Sequence, residues 1–139
     1  MSEIRSITRS VHTAETWIDE LSIDLNVDQS EAYAILRAFL HTLRDRLPTN
    51  EAAHLASQLP VLIRGSYYEG WRPSQTPQKY RQPEEFIARV AEDARASNPA
   101  ETVQAIHASM RLIRSHVSPG ELEDVMAVLP EPINQMLAA

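Results

Sequence analysis

The chain predicts an all-α protein, and three observations carry that expectation. Apolar residues recur at three- and four-residue spacing from end to end, which places them on one face of a helix. Glycine is scarce (Gly65, Gly70 and Gly120 only), and the β-branched alternation that marks strands is nearly absent. The chain also contains itself twice. Residues 28–60, DQSEAYAILRAFLHTLRDRLPTNEAAHLASQLP, align without a gap on residues 98–130, NPAETVQAIHASMRLIRSHVSPGELEDVMAVLP, at a shift of 70. Six positions are identical: Glu31/Glu101, Ala38/Ala108, Arg44/Arg114, Glu51/Glu121, Leu59/Leu129 and Pro60/Pro130. The apolar positions coincide much more widely. Self-similarity at a fixed period is the signature of a duplicated structural unit. The expected architecture is about eight short helices in two tandem four-helix repeats, 13–68 and 83–137, joined by a connector over 69–82. A pseudo-twofold axis would relate the repeats, which share one core in a single domain over 1–139.

The elements follow in order. The first helix is expected from about Thr13 to Asn26, with Trp17, Ile18, Leu21 and Leu25 on one face. Asp28, with Glu31 three positions later, is a capping-box-like start for the second. Its stripe is Ala32, Leu36, Leu40, Leu43 and Leu47, with Phe39 beside it. The third begins near Thr49 and presents Ala52, Leu55, Ala56 and Leu59. Pro60 suits the first turn of a short fourth helix carrying Leu62, Ile63 and Tyr67. The second half repeats this grammar. Pro83 opens a helix with Phe86, Ile87, Val90 and Ala94 inward, here at a register shift of 69. Asn98-Pro99-Ala100-Glu101 is an N-cap with a first-turn proline. The stripe that follows is Val103, Ile106, Met110, Ile113 and Val117. Ser118-Pro119-Gly120-Glu121 is a capping box ahead of Leu122, Val125, Met126 and Leu129. Ile133, Met136 and Leu137 end the pattern. Neither half has the apolar surface to stand alone, so the two are expected to pack on each other.

Composition narrows the function. The length of 139 residues fits one domain. With no cysteine there is no disulfide framework, thiolate metal site or cysteine nucleophile, which fits a reducing compartment. The N-terminus has no apolar run of signal-peptide length, and no stretch approaches the ~20 apolar residues of a membrane span. A cytoplasmic protein without a membrane partner is expected. A net charge of −6 argues against nucleic acid, whose phosphates need a cationic surface. Of the 13 basic residues all but Lys79 are arginine, the better residue for fixed, bidentate ion pairs.

No nucleophile elbow, Walker loop or dinucleotide fingerprint occurs, so no catalytic residue and no cofactor is nominated. The connector is the leading candidate for a binding surface. Tyr67, Tyr68, Trp71 and Tyr80 are half of the chain's aromatics, and Arg64, Arg72, Lys79 and Arg81 face only Glu69 in charge. Rigid rings beside guanidinium groups suit an interface. The structural alternative is that Tyr67 and Trp71 only seal the joint between repeats. A second feature is a cationic stripe, Arg37, His41 and Arg44, whose counterparts are His107, Arg111 and Arg114. Such an array fits an anion or an acidic helix. The structural alternative pairs Arg44 with Glu51 and Arg114 with Glu121, bracing two equivalent helix corners. Third, Glu51-Ala52-Ala53-His54 is a Glu-x-x-His, the spacing that carries metal in di-iron bundles. Its repeat reads Glu121-Leu122-Glu123-Asp124, with aspartate for histidine, so no metal is assigned there. His12, His107 and His116 lack ligand spacing.

The residues also carry a family resemblance. LRAFLHTLRDRLPTNEAAHLASQLPVLIRGSYYEGW at 36–71, EEFIARV at 84–90 and VLPEPINQML at 128–137 resemble the bacterial domain-of-unknown-function family 2267. Its Leu-Arg-x-x-Leu-Pro, Gln-Leu-Pro and Glu-Gly-Trp elements occur in order. The resemblance implies a bacterial, all-helical protein and transfers no catalytic residue. The function expected first is a non-enzymatic interaction module, binding a protein partner or itself through Arg64, Tyr67, Tyr68, Trp71 and Arg72. The alternative is a small-molecule or anion binder, conceivably an enzyme, with a pocket at the seam of the repeats lined by Arg44, Arg114, Arg64 and Tyr67.

Overall fold

The computed structural model describes residues 4–139 as a domain of eight α-helices. These are α1 (Arg5–Leu25), α2 (Gln29–Arg46), α3 (Thr49–Ser57), α4 (Val61–Tyr68), α5 (Pro83–Ala94), α6 (Pro99–His116), α7 (Pro119–Ala127) and α8 (Glu131–Ala138). Between α4 and α5 the prolines and polar residues allow one turn of 3-10 helix, Pro73–Gln75.

The local signals act as their chemistry requires. The Asp28 carboxylate accepts the Glu31 backbone N–H at 2.8 Å, and Asn98 accepts that of Ala100 at 2.9 Å. Ser118 Oγ accepts the Glu121 N–H at 3.3 Å. Each side chain satisfies a donor that the first helical turn leaves orphaned. Pro83, Pro99 and Pro119 all lie at helix starts, where a missing N–H costs nothing.

One boundary differs from expectation. α1 starts at Arg5, about two turns before Thr13. The apolar three-and-four spacing continues upstream through Val11, Ile7 and Ile4, and no breaker interrupts it. Ser10 Oγ and Thr16 Oγ1 bond back to the carbonyls of Ser6 and His12 instead of breaking the helix.

The long helices form the body. α2 packs on α1 and α5, α6 packs on the same two helices, and α3 packs on α7. Phe39 and Phe86 meet edge to face at 6.2 Å in the middle of a single cluster. Leu36, Leu40 and Leu43 of α2 join Ile106, Met110 and Ile113 of α6 there, all buried. Each such side chain contributes roughly 1.5–3 kcal/mol on leaving water. Among the described residues no helix is long and apolar enough to cross a membrane.

Candidate functional site

The aromatic residues at the end of α4 and in the connector turn inward, while most of the connector's polar residues are exposed. Tyr67 is fully buried and donates its hydroxyl to the Ala52 carbonyl at 2.8 Å; burial pushes its pKa far up, so it stays a phenol. Arg64 donates to the carbonyls of Ala56 at 2.9 Å and Leu59 at 2.8 Å, in the last turn of α3 and just past it. Tyr68 lies against Tyr67 and Trp71, with ring centroids 5.4 and 5.2 Å away, and both Tyr68 and Trp71 are half-buried against the core. Further on, Arg46 donates to the Tyr80 carbonyl at 2.8 Å, and the Gln78 N–H donates to the Asp45 carbonyl at 2.7 Å. Arg89 stands 4.8 Å over the Tyr80 ring, and burial pushes the Tyr80 phenol up to about 12. Of the five residues expected to meet a partner, only Arg72 is fully exposed. Tyr67, Tyr68 and Trp71 spend their rings on the chain's own core.

The corner ion pairs do not form. Arg44 is buried, and one Nη donates to both the Tyr67 and Glu69 carbonyls at 2.7 Å while Nε donates to Asp45 at 2.8 Å. The guanidinium's donors go to the carbonyls at the end of α4 and to the neighbouring Asp45. Arg114 is exposed, and no ion pair to Glu121 is found among the described residues. The cationic stripe is otherwise spent within the molecule. Arg37 pairs with Glu69 at 3.0 Å and Arg111 with Asp24 at 2.9 Å. His41 and His107 bond the carbonyls of Ser66 and Met136 at 2.6 and 2.9 Å. Burial lowers the His41 pKa, so its ring stays neutral and donates Nε2–H.

Glu51 and Glu121 instead approach each other where α3 meets α7. With Asp124 they bring three carboxylate oxygens within 4.8 Å of one another. His54 Nδ1 lies 3.6 Å from Glu51. One Oε1 of each glutamate is buried with no hydrogen-bond partner. Burial, and then the charge of Glu51, raise the pKa of Glu121. This is the one such set among the described residues, and its donors suit a shared proton or a hard divalent cation. The sequence held a signal for it. Pro48 caps α3 and has no N–H, so Glu51 has no box to close. Glu121 does not close its own either: the Ser118 N–H donates to Gln58 Oε1 at 3.1 Å, tying α7 to α3.

Two of the concavities bear on a binding site. One, of about 460 Å³, lies at the opposite end of the long helices, among Leu25, Ile35, Glu31, Glu101 and Arg95. None of Arg44, Arg114, Arg64 or Tyr67 lines it, and its acids outnumber its one arginine. The anion pocket expected from those four residues is therefore not assembled. The other is an open groove of about 730 Å³ between α6, α7 and α8. Val117, Pro119, Leu122 and Met126 form its floor, with Arg114 and Glu123 among the polar residues lining it.

Seventy positions earlier than the groove's lining, Arg44, Leu47, Ala52 and Ala56 are buried, and Thr49, Ala53 and Ser57 are exposed. Leu122 and Met126 are half-exposed by contrast. A side-chain hydrogen bond at this corner recurs in both halves: Asn134 donates to the Met126 carbonyl at 2.7 Å, as Arg64 does to Ala56. What differs is the cover. Tyr67, Tyr68 and Trp71 close the first corner, whereas Leu137 and Ala138 leave the second open.

Residues 14–136 match the family described as "Uncharacterized conserved protein (DUF2267)". No curated protein matches the chain.

Proposed function

The chain belongs to the DUF2267 family, and we propose that it is a non-enzymatic helical interaction module whose contact surface is the groove between α6, α7 and α8. One observation carries this: an apolar groove stands open where the corresponding corner of the first half is covered by the chain's own aromatics. The comparison depends on an ancestral duplication, with two four-helix units related by a pseudo-twofold axis. Support for it comes from element boundaries. α2 and α6, α3 and α7, and α4 and α8 begin and end 70 residues apart, and α1 and α5 end 69 apart. The packing is reciprocal, since α1 and α5 each contact both α2 and α6. A half-exposed apolar floor with polar residues at its edge suits a protein-binding patch.

A photo-crosslinking side chain at position 126, with one at position 72 as control, tests the surface in expressing cells. Protein adducts at 126 and few at 72 are expected. Adducts at 72 with none at 126 would return the interface to the connector.

A second reading keeps small-molecule binding at the seam. The cleft bearing Glu31 and Glu101, residues identical in the two copies, favours it. Its acid lining reverses the sign of the ligand from an anion to an organic cation. A polyamine that raises the melting temperature by linkage would support it, and an unchanged melting temperature at millimolar polyamine would remove it.

A further inference from the structure

We propose that the groove is filled by the amino-terminal arm of α1 from a second copy of this chain, so that the protein associates by reciprocal arm exchange. This rests on the reading of the groove as an interaction surface and names its partner. From Ile4, the N-cap, through α1 runs an apolar series at alternating three- and four-residue steps, Ile4, Ile7, Val11, Ala14, Ile18, Leu21 and Leu25, with Trp17 beside it and Ile23 on the solvent side. That is the seam of a helix made to lie along another. Its second half is used: Ala14 and Leu21 are buried, and Ile18 and Leu25 pack on the core. Its first half is not. Ile4, Ile7 and Val11 are 65, 59 and 42% exposed.

The exposure follows from where α1 leaves the body. α1 runs antiparallel to α6, with Asp24 on Arg111, Glu20 on His116, and Trp17 stacked on His116 at 4.4 Å. His116 is the last residue of α6, so α1 upstream of Trp17 extends past that helix's end. The body has no need of this arm, since α5, the counterpart of α1, begins at the position matching Ala14. The groove opens at the same end of α6, beside Arg114 and Val117, yet no α1 residue lines it. An unfilled apolar groove and an uncovered apolar stripe thus sit at one end of the molecule. A twofold-related neighbour brings each arm to the other's groove and closes the assembly, because the interface repeats itself.

Charge agrees with this pairing. From Ile4 to Ala14 the arm carries Arg5, Arg9 and His12 and no acid. α7, which forms one wall of the groove, carries three acids and no base; of these Glu123 lines the groove, opposite Arg114 of α6, while Glu121 and Asp124 face Glu51. In a chain of net charge −6, a basic segment finds its complement on such a helix. Three large apolar side chains per arm make a small interface, so the association is concentration-dependent, in roughly the micromolar range.

Sedimentation velocity of the full chain across 1–500 μM (an arbitrary span of about that range) tests the proposal. The mass is expected to rise from 15.7 kDa toward twice that value. An Ile7→Glu/Val11→Glu variant and a Met126→Glu variant should each stay monomeric, with unchanged helical circular dichroism. Mixed together they should associate again, since the first keeps an intact groove and the second an intact arm. A wild type monomeric throughout overturns the proposal, as does a dimer that survives Met126→Glu, which would signal arm–arm contact. A monomer that still crosslinks another protein through position 126 would overturn arm exchange while leaving the interaction module standing.

Discussion

The corner built from α2, α3 and α4 and the corner built from α6, α7 and α8 have helices of equal length, starting and stopping at matching positions. Yet one is sealed and the other open. In the first, Tyr67 and Arg64 donate to the carbonyls of the buried Ala52 and Ala56, with Tyr68 against Tyr67 and Trp71 against Tyr68. In the second, Leu122 and Met126 are half-exposed, packed on the core below and lining the groove above. Two corners of matching helix boundaries thus differ in their side chains and not in their backbone plan.

The largest effect that would break this comparison is expected at Tyr67. Tyr67→Ala removes a fully buried ring together with the donor to the Ala52 carbonyl. It should cost about 4–5 kcal/mol in urea unfolding, against about 3 kcal/mol for Leu137→Ala at the matching position. Equal costs would mean that the phenol adds nothing to closing the first corner. Arg44 and Arg114 come next, identical in sequence and opposite in surroundings. Arg44→Ala strands the Tyr67 and Glu69 carbonyls and should cost about 2–3 kcal/mol. Arg114→Ala should stay within about 0.5 kcal/mol, as exposed substitutions do. Similar losses at both sites would make the two corners energetically alike.

The helical frame was legible in the sequence because its signals are local: caps, first-turn prolines and periodic apolar stripes act within a few residues. The repeat sharpened them by giving each boundary twice. The site was less legible because it depends on which of several near partners a side chain reaches. Arg44 and Glu51 are close in sequence and opposite in charge, so an ion pair was the natural expectation. Three-dimensional proximity gave Arg44 the orphan carbonyls ending α4 and gave Glu51 its own counterpart. The aromatic connector looked like an interface for a related reason. Composition records rings and cations and not which way they face.

A smaller effect is expected where two matching helices end. α1 and α5 both close on a residue in the left-handed conformation, Asn26 at φ 55° and Arg95 at φ 57°. Asparagine tolerates this region and arginine does not. Arg95→Gly should therefore stabilise the protein by about 0.5–1 kcal/mol, while Asn26→Ala should destabilise it. A destabilised Arg95→Gly would show that the side chain, which lines the acidic cleft, contributes more than its backbone strain removes.

The smallest effect concerns the point where the two halves meet. Glu121 has a raised pKa in the folded chain, from burial first and Glu51 second, so the native state holds its proton more tightly than the unfolded state does. Its contribution to stability is complete at pH below the unfolded value of about 4.3. It is lost as pH rises through the folded value. At neutral pH the pair is thus a local cost, and Glu121→Gln should raise stability by about 0.5 kcal/mol, on the scale of a relieved like-charge contact. The gain should fade toward zero at pH 4, where the wild-type carboxyl is itself neutral. Thermal unfolding at pH 4 and pH 7, with and without EDTA, measures both terms. A variant less stable than wild type at pH 7, with the deficit abolished by EDTA, would mean that a divalent cation and not a proton holds Glu51 and Glu121 together.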